Sequence, residues 1–566
     1  MKRQTLLVLG LTGALLILEL GCRRNISSPV SEDALPAPPW FADVTEAVGL
    51  DFVHDAGPVG DFFMPQQIGS GAALFDFDGD GRLDIYLLQN GGPKGAANRL
   101  YRQEADGRFR DVSAGSGLDI AGHNMGVAVG DVNNDGRPDV LFTQYGGIRL
   151  FRNDGAGKFQ DVTGEAGLSN PAWGASAAFV DYDRDGWLDL VVANYVDYDP
   201  TWPCFAPDGQ RDYCNPGTFR GRASKLFHNL GSGSGVRFQD VTAESGLGRL
   251  VGPGLGVVGA DFDGDGWPDL FIANDKQPNR LWINRHDGTF QEESVVRGVA
   301  YDGMGQAQAG MGVALGDLDG DGLEDLFVTH LTEETNTLWR QGPRGFFRDE
   351  TVRAGLTVLH WRGTGFGTVL GDIDQDGALD VAVVNGRVSR GPLLADPNLG
   401  PHWGRYAERN QLFTSDGNGR FRDISLENAP FCAAANVARG LACGDIDGDG
   451  ALDLLVTTIS GKARLYRNVT PRRGHWLFVR AWDPLLKRDA YGAEVRVTAG
   501  GRTSLRRINP AGSFLCSSEA RAHFGLGAAS RVDRIRIVWP DSTEEAFPGC
   551  RADRSLQLCK GEGTTP

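Results

Sequence analysis

The stretch Val313–Val328 reads VALGDLDGDGLEDLFV. Asp317, Asp319 and Asp321, with Gly322 behind them, begin like the calcium loop of an EF-hand. An EF-hand closes with a bidentate Glu at loop position 12 and is flanked by helices. Here position 12 is Val328, and the flanks, VALG and LFV, are short apolar runs. The stretch therefore reads as a strand, an acidic turn and a second strand.

The acidic turn recurs seven times, as DFDGDGRLD, DVNNDGRPD, DYDRDGWLD, DFDGDGWPD, DLDGDGLED, DIDQDGALD and DIDGDGALD. The copies start at Asp76, Asp131, Asp181, Asp261, Asp317, Asp372 and Asp445, with spacings of 55, 50, 80, 56, 55 and 73 residues. After most loops comes an apolar run such as DLVVAN or DLFIAN, then a segment such as RLYRQ, RLFRN, KLFHN or RLWIN. A Gly-rich turn and a third segment follow, FRDVS at Phe109 or FQDVT at Phe159 and Phe238. A Gly-rich run such as MGVAVG or GVALG leads back into the next loop. Four short strands per unit, separated by turn signals, predict an all-β fold of propeller type. The last unit stops after RLYRN at Arg464–Asn468, and an orphan fourth segment, FADVT, stands first at Phe41–Thr45. Pairing the two would close the ring and hide both open edges. The expected propeller has seven blades and spans residues 40–470.

A hard cation such as Ca²⁺ takes six to eight oxygens. Loop positions 1, 3, 5 and 9 offer side-chain oxygens, and the Gly at position 6 permits the turn that brings the next carbonyl inward. The candidate ligands are Asp76, Asp78, Asp80 and Asp84; Asp131, Asn133, Asp135 and Asp139; Asp181, Asp183, Asp185 and Asp189; and Asp261, Asp263, Asp265 and Asp269. They continue with Asp317, Asp319, Asp321 and Asp325; Asp372, Asp374, Asp376 and Asp380; and Asp445, Asp447, Asp449 and Asp453. Turn propensity accounts for one or two Asp per loop, not for four side-chain oxygen donors at fixed spacing in every copy, all Asp but Asn133. Up to seven structural calcium ions are expected, and they would bring the formal charge of −17 to −3. That acidity disfavours nucleic acid as a partner, because phosphate contacts need Lys and Arg surfaces.

Lys2 and Arg3 precede an apolar run, Leu6–Leu18, too short to span a bilayer but right for an export signal. It ends in LELGC, which resembles the lipobox of bacterial lipoproteins, with Glu19 departing from that pattern. Residues 1–22 are expected to be a signal peptide and Cys22 the lipidated residue. A disordered tether follows at 23–39. Location outside the cytoplasm is expected, with contact to membrane only through the lipid anchor. An oxidising compartment favours a disulfide between Cys204 and Cys214, which lie in one loop, and Cys550–Cys559 is the simplest further pair.

The loop pattern resembles the FG-GAP/VCBS repeats of the integrin α-chain propeller. The resemblance implies that the loops join strands 1 and 2 of each blade and that their ions are structural. From about Arg472 to Lys560 the chain carries 16 Lys/Arg against 9 Asp/Glu, net +7, leaving −24 for the rest. GHWLFVRAW, RDAYGAEVRV, AHFGLG and IVWP resemble the ASPIC/UnbV domain that follows FG-GAP repeats in the cartilage acidic protein family. This segment, 471–560, is expected to be a small all-β domain that docks on the acidic propeller or faces an anionic polymer. The resemblance implies an extracellular binding or adhesion protein for a protein or glycan ligand.

The alternative is a glycan-active enzyme using the propeller channel or top face. GLGVVG at Gly254–Gly259 leads straight into an acidic loop, so it reads as a blade strand rather than a dinucleotide site. His523 in HFGLG reads as a packed or hydrogen-bonded residue rather than a base. The two long repeat spacings come from insertions between the second and third strands of a unit, at Tyr195–Ala223 and Gly386–Arg409. Both are rich in aromatics and Arg, which are favoured in binding hot spots. Trp202, Arg211, Tyr213, Trp403, Arg405 and Tyr406 are therefore expected to form a ligand surface opposite the acidic loops.

Overall fold

A computed structural model describes residues 38–231, 235–394, 399–471 and 473–565. The expected leader, Cys22 and the tether up to residue 37 lie outside the described residues. In the opening stretch, Gly316 pairs with Asp325 and Val313 with Val328, so the acidic loop closes an antiparallel hairpin. Six more sheets are built on the same hairpin, each with four propeller strands. Their first strands are Ala72–Phe75, Asn124–Gly130, Gly174–Val180, Gly254–Ala260, Val313–Gly316, Gly365–Gly371 and Ala438–Gly444. Each packs against the next, and the last against the first, so the sheets stand as blades 1 to 7 around one axis.

Blade 7 takes its outer strand from the start of the chain: Phe41 pairs with Asn468 and Asp43 with Tyr466. Each interface between neighbouring blades has its own apolar cluster. Leu74 and Ile85 of blade 1 meet Ala442 and Leu455 of blade 7, and Leu326 and Val328 of blade 5 meet Phe271 and Leu281 of blade 4. The Gly-rich runs have a specific use here. Five residues before the first Asp of each loop stands Gly71, Gly126, Ser176, Gly256, Gly312, Gly367 or Gly440. A Cβ on Gly71 would lie 2.5 Å from the Met125 carbonyl oxygen, and one on Gly312 would lie 2.0 Å from that of Phe366. Glycine lets the inner strands converge. A threonine at the end of the second strand then staples blade to blade: Thr329 Oγ1 accepts from Gly312 N (2.9 Å) and donates to Phe366 O (2.8 Å).

The basic C-terminal segment forms two small sheets around a core of Leu477, Val479, Ile535, Ile537 and Trp539. It is not a separate body, since Pro38–Pro566 is one compact unit. It docks on the face that carries the acidic loops. Buried Arg488 donates to Asn134 Oδ1 and Gly186 O, Arg507 pairs with Glu324, and Gly525 N donates to Asp372 Oδ2. A hairpin at 511–517 enters the ring. Cys516–Ser517 joins blade 1 through Ala73, Ser513 exchanges hydrogen bonds with Val313, and the Leu515 carbonyl accepts from Val127 N. Phe514 and Leu515 fill the axis together with Met64, Ile68, Met125 and Phe366.

The long insertions differ from the expected surface. Tyr213, Trp403 and Tyr406 are buried at 7, 4 and 1 % exposure, packed with Ala56, Val437 and Ile459. The reason is that the two insertions fold onto each other. Tyr406 Oη donates to Asp212 Oδ1 at 2.5 Å, and the Arg390 guanidinium donates to the Arg211 carbonyl. Of the six residues, Trp202, Arg211 and Arg405 remain exposed. Cys204 and Cys214 are bonded, whereas Cys550 and Cys559 are free thiols, as are Cys432, Cys443 and Cys516.

Candidate functional site

In blade 1, Asp76 Oδ1 accepts from Gly79 N (2.7 Å) and Asp80 N (3.1 Å), and its Oδ2 accepts from Gly81 N (2.8 Å). Asp80 Oδ1 accepts from Arg82 N (3.0 Å). Asp84, which starts the second strand, takes Phe77 N (3.1 Å) on one oxygen and Gln103 N (2.8 Å) on the other. Blade 4 repeats the pattern, with Asp261 accepting from Gly264, Asp265 and Gly266, and Asp269 from Phe262 and Asn284. The sequence produces this locally: short Asp side chains bond the backbone two to five residues on, and glycines at positive φ (Gly79, Gly81) allow the coil.

In four of the loops the structure brings three of the four expected ligands together. Oxygens of Asp76, Asp78 and Asp84 lie within 4.8 Å of one another, as do those of Asp181, Asp183 and Asp189, of Asp261, Asp263 and Asp265, and of Asp317, Asp319 and Asp321. The last Asp of each loop is sealed: Asp84, Asp139, Asp189, Asp269 and Asp325 are fully buried, and Asp380 and Asp453 nearly so. Burial, with neighbouring aspartates adding to it, pushes the Asp84, Asp189, Asp269 and Asp325 carboxyls up to about 8. Asp372 and Asp445 are pushed to about 7, again chiefly by burial.

The arrangement fits a hard divalent cation. Oδ1 of Asp78, Asp181, Asp263, Asp372 and Asp445 is buried with no hydrogen-bond partner. Buried acceptors are normally satisfied, and these five belong to five loops, each at position 1 or 3. Sequence reasoning missed the cations on the rim. The fourth residue of the third strand carries them: Arg102 Nε lies 2.7 Å from Asp78, Arg340 Nε 3.2 Å from Asp319, Arg467 Nε 2.8 Å from Asp447, and His228 Nδ1 3.2 Å from Asp183. The repeated Arg of RLYRQ, TLWRQ and RLYRN was the available signal.

At the axis of the ring Phe514 and Leu515 pack against Met64, Ile68, Met125 and Phe366. His523 is buried and hydrogen-bonded to Gly450 O at 3.2 Å, and burial depresses its pKa to about 3. Among the described residues no helix is long and apolar enough to cross a membrane.

The FG-GAP-like repeat pattern matches residues 76–142, 131–192, 261–328, 317–383 and 402–489, more than half of the chain, and the ASPIC and UnbV pattern matches 485–565. The chain is 26% identical to Cartilage acidic protein 1 of Homo sapiens over 541 residues, covering 91% of this chain and 74% of that one. The Mus musculus protein of the same name is 26% identical over 547 residues, covering 91% and 75%. Among solved structures, a rhamnogalacturonan lyase covers 71% of this chain and 72% of its own at 15% identity and a TM-score of 0.37, too distant to argue from. The repeats, the closed ring of four-stranded sheets and the docked C-terminal module make this chain a member of the FG-GAP repeat family with a C-terminal ASPIC/UnbV domain.

Proposed function

We propose that the chain is an extracytoplasmic, calcium-stabilised propeller that serves as a binding module for a protein or glycan ligand. The observation that carries the calcium reading is the set of buried, unpartnered carboxylate oxygens in five of the seven loops. Calcium would supply the positive charge that these oxygens lack and tie the first strand of each blade to the second. The chain's own residues do the rest. The last Asp of each loop anchors the turn to the third strand, and the rim arginines offset excess negative charge. The apolar run at residues 6–18 and the Cys204–Cys214 bond support a location outside the cytoplasm, with Cys22 as lipid anchor.

Native mass spectrometry of the chain after dialysis into millimolar calcium tests this reading. Bound calcium up to seven ions is expected, one fewer after Asp261→Asn. A mass with no bound calcium would reject it.

A further inference from the structure

The C-terminal domain does not meet the loop face evenly. Loops of blades 2 to 7 each bond to it, through groups such as Asn134, Gly186, Gly266, Glu324, Asp372 and Gly450. Blade 1's loop, residues 76–84, makes no hydrogen bond or ion pair to the C-terminal domain among the described residues. A cavity of about 940 Å³ remains there, between the loops of blades 7, 1 and 2 and the strand His475–Asp483. Alternation decides what that strand shows it. Leu477, Val479 and Ala481 point into the domain core, so Trp476, Arg480 and Trp482 face the cavity. Ser555 and Gln557 of the parallel neighbour Arg554–Cys559, paired with Phe478 and Arg480, extend the same wall.

The chemistry of this wall selects a ligand class. Its arginines are already paired: Arg480 with Asp489 (2.6 Å), Arg467 with Asp447 (2.8 Å), and Arg521 with Glu519. Lys487 is the lining cation without an ion pair among the described residues. The cleft thus lacks the free positive charge that a polyanion needs, and it is too polar for a lipid chain. It offers fixed planar donors and acceptors beside indole faces; the Arg480 guanidinium lies 4.5 Å over the Trp482 ring. Such a surface suits rings that carry hydroxyls at their edges and C–H groups on their faces. The volume lies within the roughly 300–1,000 Å³ range of ligand pockets, enough for a short oligosaccharide.

We propose that this interdomain cleft binds a neutral oligosaccharide. The proposal deepens the binding-module reading and rests on it. Its test is calorimetric titration of the full, calcium-saturated chain with neutral gluco-, manno-, galacto- and xylo-hexasaccharides, alongside oligogalacturonate and a heparin hexasaccharide. At least one neutral hexasaccharide is expected to bind, with Trp482→Ala weakening it at least tenfold and Gln557→Ala severalfold. Calcium stoichiometry and melting temperature are expected to stay as in the parent. Gln557 is exposed, so that variant keeps the test open if Trp482→Ala does not fold. Binding of no neutral hexasaccharide, binding of the acidic ones alone, or binding indifferent to both substitutions would overturn the proposal. Each of these outcomes leaves the calcium reading standing if calcium is still bound, and loss of calcium binding alone would reject only that reading.

Discussion

The residue that best explains the repeat is the last Asp of each loop. Asp269 is fully buried and holds backbone N–H groups of Phe262 and Asn284, one on each oxygen. Asp269→Ala leaves both donors unsatisfied, each at about 1–3 kcal/mol, and denaturant titration is expected to show a loss of several kcal/mol. Asp269→Asn keeps one acceptor and is expected to lose less. The carboxyls that sit at about 8, those of Asp84, Asp189, Asp269 and Asp325, give a pH signature. Their folded pKa values lie above the ordinary value of 3.8, so without a cation the fold prefers them protonated. That contribution is fully present below about pH 4 and is lost as pH rises through about 8. In EDTA, the melting temperature is expected to fall between pH 7 and 8.5, where histidines at the ordinary value of 6.5 are mostly neutral. His228, raised to about 9 chiefly by its hydrogen bond to Asp189, adds to the fall in the same direction. Excess calcium is expected to remove that fall. A melting temperature in EDTA that is flat or rises across the window would contradict the assignment.

At the scale of elements, the ring depends on contacts that the local pattern only partly announces. The strand Phe41–Asp43 was legible because FADVT stands alone at one end and its partner is missing at the other. Phe41 is fully buried against Phe431 and Tyr466. Phe41→Ala is expected to cost about 3–5 kcal/mol, read as a lower melting temperature with an unchanged calcium count. The acidic loops were legible because four oxygens at fixed spacing are a local property. The insertions were not: Tyr213, Trp403 and Tyr406 look like surface aromatics by type, and only the contact between two loops far apart in sequence buries them. The hairpin at 511–517 has no periodic signal, because its Phe514 and Leu515 are buried by the propeller and not by their own sheet. The inner glycines were visible as a Gly-rich run, but their purpose needs the neighbouring blade's carbonyl.

For the whole molecule, the charge split became a docking surface. Arg488 of the basic domain is buried, and Arg506 and Arg507 are half-buried, above loops of the acidic propeller, Arg506 at 3.9 Å from Asp372 and Arg488 at 3.7 Å from Asp181. The domain cap, the axial hairpin and the closed seventh blade make the described chain one compact body, held around clustered carboxylates that repel one another without a counter-ion. At tenfold excess over Kd, each calcium bound only to the folded state adds about 1.4 kcal/mol. The most direct test of this account is therefore the melting temperature of the full chain in millimolar calcium against the same sample in verified EDTA excess. The account predicts a single transition that drops by many degrees on chelation and returns when calcium is restored. Superimposable melting curves in the two conditions would contradict it.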